Sequence, residues 1–235
     1  MNQNLYLTHN LGASAKNNAA SFSHCTVSGH IHSSFETAHH ADHYNLRWSM
    51  ITGWLGDPKA VVFEYNKQHK KKRPISGCGA VIGSKYRALV ISDTHAPYHH
   101  KDTIPFLLAV REELELDHVL HVGDIQENHI PSYHEVEYGS LSAKEELKRA
   151  RDFCQELESH MPKMKISEGN HDSLSKRKAK TLGIPIESLK SYNDNLGVGK
   201  GWEWADSHYI NIGNAQPLLC PMVLKTNGRW CGKVL

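Results

Sequence analysis

The sequence predicts an α/β unit with a parallel sheet between Arg87 and Asp172. Three observations predict it: three short apolar runs, two helix-patterned stretches between them, and polar residues just past the end of each run. Strand, helix, strand, helix, strand in that order implies parallel pairing through right-handed crossovers.

Each element has its own reason. Ala88-Leu89-Val90-Ile91-Ser92 is continuous and apolar, as in a strand buried on both faces, and ends at Asp93-Thr94-His95. Thr103 reads as a helix cap with Pro105 in the first turn; Ile104, Leu107, Leu108, Val110 and Leu114 then recur at near-helical spacing. His118-Val119-Leu120-His121-Val122 is the second strand and ends at Gly123-Asp124. Ser142 with Glu145 forms a capping box ahead of Leu147, Ala150, Cys154 and Leu157, in a helix that stops before Pro162. Lys163 to Ser167 is a third, short strand, followed by Gly169-Asn170-His171-Asp172.

The flanks are less regular. Leu5–Leu7, Cys25–Val27 and Ala60–Tyr65 are strand-like, and 66–74 is a polar, basic linker. Within that linker, Lys70–Arg73 reads as solvated charge, or as a patch for phosphate groups. Lys176–Leu182 is expected to be helical. Trp202–Ile212 alternates as one antiparallel strand, with Trp202 and Trp204 on one face as core or rim. The last twenty or so residues show no period, and no internal repeat is present.

Composition bounds the function. At 235 residues and 39% hydrophobic, the chain can bury a sizeable core, and a net charge of +2 excludes a generally polycationic nucleic-acid binder. No apolar run approaches the roughly 18 residues of a membrane helix. The five cysteines contain no Cys-x-x-Cys pair, so neither a zinc ribbon nor a disulfide framework is expected. The start, MNQNLYLTHN, lacks the basic-then-apolar pattern of a secretory signal, and a reducing, cytoplasmic setting is expected. Eighteen histidines against five phenylalanines direct attention to metal, because imidazole is the commonest protein metal ligand. His39, His40, His43, His99, His100, His129 and His134 read as solvated loop residues.

Placement says more than the total. Asp93, His95, Asp124, Asn170 and His171 all fall just past the carboxyl ends of three successive strands, the edge at which open parallel sheets bind ligands. Asp-x-His sets a carboxylate and an imidazole on one loop, able to grip one divalent ion together. Asp124 has two oxygens and could bridge two ions, Asn170 offers an amide oxygen, and His171 could be a ligand or an acid.

These residues resemble the calcineurin-like metallophosphoesterases. The family order is Asp-x-His, Gly-Asp, Gly-Asn-His-Asp/Glu, a lone His, then Gly-His-x-His. The first three stand here as Asp93-Thr94-His95, Gly123-Asp124 and Gly169-Asn170-His171-Asp172, and Ile-Ser-Asp-Thr-His-Ala-Pro-Tyr-His resembles small phage-type members. The last two are absent downstream but present upstream, as His9 after Leu5-Tyr6-Leu7-Thr8 and as Gly29-His30-Ile31-His32. The order therefore resembles a circular permutation: residues 1–82 are similar to the family's C-terminal half and 86–213 to its N-terminal half, with 214–235 an unassigned tail. Domain termini are commonly close together at the surface, which permits such a rearrangement. A swapped homodimer, with residues 1–82 completing a neighbour's site, explains the same order.

The resemblance implies a single domain with an α+β fold, an α/β/β/α four-layer sandwich of two mixed sheets flanked by helices. It implies one metal on Asp93, His95, Asp124 and His32, and a second on Asp124, Asn170, His9 and His30. Two divalent ions, manganese first with iron, zinc or nickel as other occupants, would activate water for attack on a phosphomonoester or phosphodiester. His171 would protonate the leaving oxygen, and Glu127, three residues after Asp124, stands where some relatives carry a carboxylate that orients this histidine. The substrate is left open between phosphoprotein, nucleotide and nucleic acid, in the host cytoplasm if the chain is phage-encoded. A non-catalytic metal- or partner-binding domain is the competing reading.

Overall fold

The computed structural model describes residues 3–32, 34–42, 46–55, 78–83, 86–131, 141–213, 216–218, 223–224 and 230–231. The expected strand at 60–65, the basic linker at 66–74, and His43 and His134 lie outside them.

Two mixed sheets face each other. The first holds β1 (Gln3–Thr8), β2 (Cys25–Ser28), β3 (Glu36–Ala41), β4 (Leu46–Ile51) and β10 (Ser207–Gly213), in the order β10-β1-β2-β4-β3. The second holds β5 (Cys78–Ile82), β6 (Arg87–Ile91), β7 (His118–His121), β8 (Met164–Ser167), β9 (Trp202–Ala205) and β11 (Gln216–Leu218), in the order β11-β5-β6-β7-β8-β9. From β6 to β9 the pairing is parallel, while β5 and β11 run antiparallel. Among the described residues, two short strands, β12 (Val223–Leu224) and β13 (Trp230–Cys231), pair with each other.

The apolar run at the start of β6 is explained by burial on both faces. Ala88 and Val90 join Leu5, Leu7, Val27, Trp48, Met50, Leu120 and Val122 between the sheets. Leu89 and Ile91 face the other way, against α2 (Thr103–Glu113) and α3 (Ala143–His160) through Leu107, Val110, Phe153, Cys154 and Leu157. On the far side of the first sheet, the short helix α1 (Ala15–Ser21) lies against β2, β3 and β4, giving helix, sheet, sheet, helix. Two further helices, α4 (Leu174–Thr181) and α5 (Tyr192–Leu196), connect β8 to β9.

The helix signals hold with one correction. Ser142 Oγ accepts from Glu145 N at the start of α3, as its capping box requires. Thr103 is not the cap of α2 but its first residue; Asp102 precedes it and makes no side-chain cap bond. Trp202–Ile212 is two strands, not one. β9 runs parallel to β8 in the second sheet, and β10 runs antiparallel to β1 in the first, with the chain changing sheets at Asp206. Alternation survives the switch because each piece has one buried face: Trp202 in β9, Ile210 and Ile212 in β10. His39 and His40 lie in β3 rather than a loop, and His99 is stacked 3.9 Å from Phe153.

Candidate metal centre

The loops after β6, β7 and β8 meet those after β1 and β2. Asp93 N donates to Gly123 O at 3.0 Å, and His95 N to Asp124 O at 3.0 Å, so the first two loops are laced together by backbone. Gly29 N donates to His9 O at 3.1 Å, and His30 N lies 3.3 Å from both Asp93 oxygens, tying the N-terminal segment to the same place. Six described non-glycine residues have positive φ, and four of them are His30, Asp93, His95 and Asp124, at 68°, 49°, 48° and 55°. Each such conformation costs roughly 1–2 kcal/mol, so the surrounding contacts must hold it.

Glycines make the close approach possible. A Cβ on Gly29 would lie 2.5 Å from Asp93 Oδ2, and one on Gly169 would lie 2.1 Å from Asp124 Oδ1. Gly123, at φ +99°, packs on the Gly169 backbone. Beneath them Asp172, fully buried, accepts four backbone N–H groups: Asp124 at 2.7 Å, Ile125 at 3.1 Å, Gln126 at 3.2 Å and Gly169 at 3.0 Å. It fixes one loop against the other. Burial and then the Asp124 charge push its pKa up to about 6, against the pull of those N–H groups.

Two cages share Asp124. His32, Asp93, His95 and Asp124 each offer a ligand atom, all within 4.8 Å of one another; His9, His30 and Asp124 do the same. Asn170 Oδ1 joins the second cage, 2.8 Å from His9 Nε2 and 2.9 Å from His30 Nδ1. All seven residues expected from the sequence as metal ligands are thus brought together within one chain.

The donor chemistry fits a cation. His9 Nδ1 is 2.8 Å from the Val122 carbonyl, so it carries the hydrogen and a neutral ring turns the Nε2 lone pair toward Asp124 Oδ2 at 3.0 Å and Asn170 Oδ1. Among the described residues, Asp124 Oδ2 is buried and meets no hydrogen-bonding group other than the His9 ring. His95 Nδ1 lies 2.5 Å from Glu127 Oε2, which leaves its Nε2 lone pair facing His32 Nε2 at 3.3 Å. Lone pairs meeting lone pairs repel unless a metal ion or a proton lies between them. Proton affinity tells the same story. Burial lowers the His9 pKa, but Asp124 beside it, with Asp93, more than reverses this and raises it to about 9. Burial opposes protonation of His95 too, and Asp93 and Glu127 again win. Burial disfavours the Asp93 carboxylate, yet His32 and His95 hold it well below the usual range.

Glu127 stands differently from the resemblance. Its carboxylate is on His95 at 2.5 Å, whereas His171 Nδ1 reaches the Glu127 backbone carbonyl at 2.7 Å and only approaches the carboxylate, at 3.7 Å. Two residues had no signal in the sequence. Trp54, after β4, stacks on His32 at 5.5 Å and 16°. Ser167 Oγ donates to Leu7 O at 3.0 Å, joining β8 to β1 beneath the centre. Asp172 was visible as the last letter of its motif, but its buried role was not.

Among the described residues no helix is long and apolar enough to cross a membrane. No curated protein and no solved structure matches the chain. The family model described as calcineurin-like phosphoesterase matches residues 86–223, more than half of the sequence. With two mixed sheets, flanking helices and His/Asp groups suited to divalent metal, the chain belongs to the calcineurin-like phosphoesterases.

Proposed function

We propose that this protein hydrolyses phosphoric esters at a dinuclear metal centre assembled within a single chain. One ion is held by Asp93, His95, Asp124 and His32, the other by Asp124, Asn170, His9 and His30. Asp124 belongs to both sets. The observation that carries the proposal is the convergence of these seven side chains around the shared Asp124. When bound, the pair of ions supplies water activation and charge neutralisation on the phosphoryl oxygens. Manganese is the first occupant to test, since nitrogen-and-oxygen sites of this kind also accept iron, zinc or nickel.

The chain's own residues do the rest. His171 N donates to Asp124 Oδ1 at 2.8 Å, which orients the shared carboxylate. With its Nδ1–H on the Glu127 carbonyl, His171 has Nε2 left to exchange a proton, and the proposed role is protonation of the leaving oxygen. Glu127 fixes the His95 tautomer so that Nε2 faces the cage.

A circular permutation within one domain is part of the proposal, and strand pairing supports it. β10 and β1 are antiparallel neighbours with Gly213 opposite Gln3, so a tight turn could join the end of one to the start of the other. The present chain instead joins the halves 1–82 and 86–213 where β5 turns back onto β6, with Gly83 N donating to Tyr86 O at 2.8 Å. The test is hydrolysis of p-nitrophenyl phosphate and bis-p-nitrophenyl phosphate with added manganese. Wild-type turnover well above that of Asp124→Asn supports the reading, and equal rates on both substrates refute it.

A further inference from the structure

Beside the candidate centre lies a groove of about 380 Å³ along α4, lined by Lys176, Arg177, Lys180, Ile184, Pro185 and Ile186. It begins at the metal-ligand turn itself: Arg177 Nη2 donates to Asn170 O at 2.7 Å, and Ser173 Oγ to the same carbonyl at 3.1 Å. Its charge is one-sided. Among the described lining residues, three cations face one carboxylate, Glu168, which is already paired with Lys176. Its far end is apolar and open. Residues 181–188 are all exposed, with Leu182 at 73%, Ile184 at 43% and Ile186 at 52%. A cluster of exposed branched side chains next to a ligand-sized groove is a recognition surface rather than scattered surface apolarity.

We propose that this groove binds an extended, acidic segment of a phosphoprotein substrate, seating an aliphatic side chain on Ile184 and Ile186 while its carboxylates meet Lys180 and Arg177. The proposal rests on the phosphoesterase reading and narrows its substrate class to phosphoproteins. The apolar end sets it apart from a nucleic-acid track, because a sugar–phosphate backbone carries no branched aliphatic side chain to seat there. Nor do the described lining residues offer a ring for base stacking. Tyr192, beside the lining Lys176, has that lysine's Nζ 4.4 Å from its centroid and the Trp204 ring at 4.3 Å. Eight residues of α4 span roughly 12 Å, which an extended peptide covers in about four residues. The aliphatic anchor therefore belongs about four positions from the phosphorylated residue.

The test uses phosphothreonine peptides of acidic sequence carrying leucine four positions before or after the phosphoresidue, against versions with glycine at that position. Two variants, Lys180→Glu and Ile184→Ser, alter exposed groove positions outside the catalytic machinery. The expected result is at least a fivefold lower KM for one leucine peptide over its glycine version. Ile184→Ser should erase that preference and Lys180→Glu should raise KM for both acidic peptides, each with turnover of p-nitrophenyl phosphate unchanged. Fluorescence anisotropy of the labelled, unphosphorylated leucine peptide gives a binding signal that does not depend on hydrolysis. If p-nitrophenyl phosphate is not hydrolysed but the peptide binds and Ile184→Ser weakens it, the groove stands and the phosphoesterase reading falls. Equal KM values for leucine and glycine peptides overturn the groove. So does an oligonucleotide of equal charge that displaces the peptide and depends on Lys180 but not Ile184. Concentration-dependent dimerisation abolished by Ile184→Ser also overturns it, by assigning the surface to a second copy.

Discussion

Alanine at Gly169 places a Cβ 2.1 Å from Asp124 Oδ1 and 2.3 Å from Asp124 N. Real Cβ atoms do not approach within 3.0 Å, so the carboxylate or its backbone must retreat by about 1 Å, and Asp124 is the residue both cages share. A displacement of that size at a reacting centre costs on the order of 10²-fold in rate. Overpacking adds about 1–3 kcal/mol of destabilisation, which leaves most of the protein folded. The assay is kcat/KM for p-nitrophenyl phosphate across a manganese titration, with circular dichroism to establish folding. Gly213→Ala is the control: φ there is +62° but no described residue lies within 4 Å of an added Cβ, so it should cost roughly 1 kcal/mol and no activity. A folded Gly169→Ala protein with wild-type turnover would show that the close Gly169–Asp124 approach does not matter to the centre.

Three further outcomes follow from the same geometry. Glu127→Gln removes the charge that holds His95 Nδ1, and should weaken metal affinity by about 10–100-fold, measured as the manganese concentration for half-maximal activity; an unchanged requirement would contradict the His95 contact. His171→Asn should slow phenyl phosphate by roughly 10²–10⁴-fold but p-nitrophenyl phosphate much less, because the better leaving group needs no proton; equal losses would remove His171 from the acid role. His121 is buried with Nδ1 accepting from Gly123 N, and burial holds its pKa down at about 3. The unfolded chain protonates it near 6.5, so its contribution is full above that pH and falls as pH drops toward 3. From pH 6.5 to 5 the loss is about 1.6 kcal/mol. Urea midpoints of chelator-treated protein should show His121→Gln losing less stability over this range than wild type; parallel losses would show that His121 is not the group responsible.

Much of the centre was legible because catalysis at a sheet edge leaves polar residues in short, ordered motifs after apolar strands. Asp93, His95, Asp124, Asn170 and His171 could be read from strand ends alone, and the order of the motifs pointed to His9, His30 and His32. What failed to show has physical causes. α1 is seven residues long and buries only Ala15, Asn18 and Ala19, too little for a periodic stripe. β3, Glu-Thr-Ala-His-His-Ala, is an edge strand with no residue fully buried. The change of sheet at Asp206 is invisible because β9 and β10 both alternate. Glu127 and Trp54 act through reach and stacking across the fold, for which sequence has no period.

In the proposed arrangement one chain, through its two halves, builds one two-metal centre. Metal content of the monomer, separated by size and measured by elemental analysis after loading with manganese, tests it most directly. Two ions per chain are expected, falling to about one in His9→Ala. A monomer that binds no manganese, or one whose stoichiometry is indifferent to His9, would contradict it.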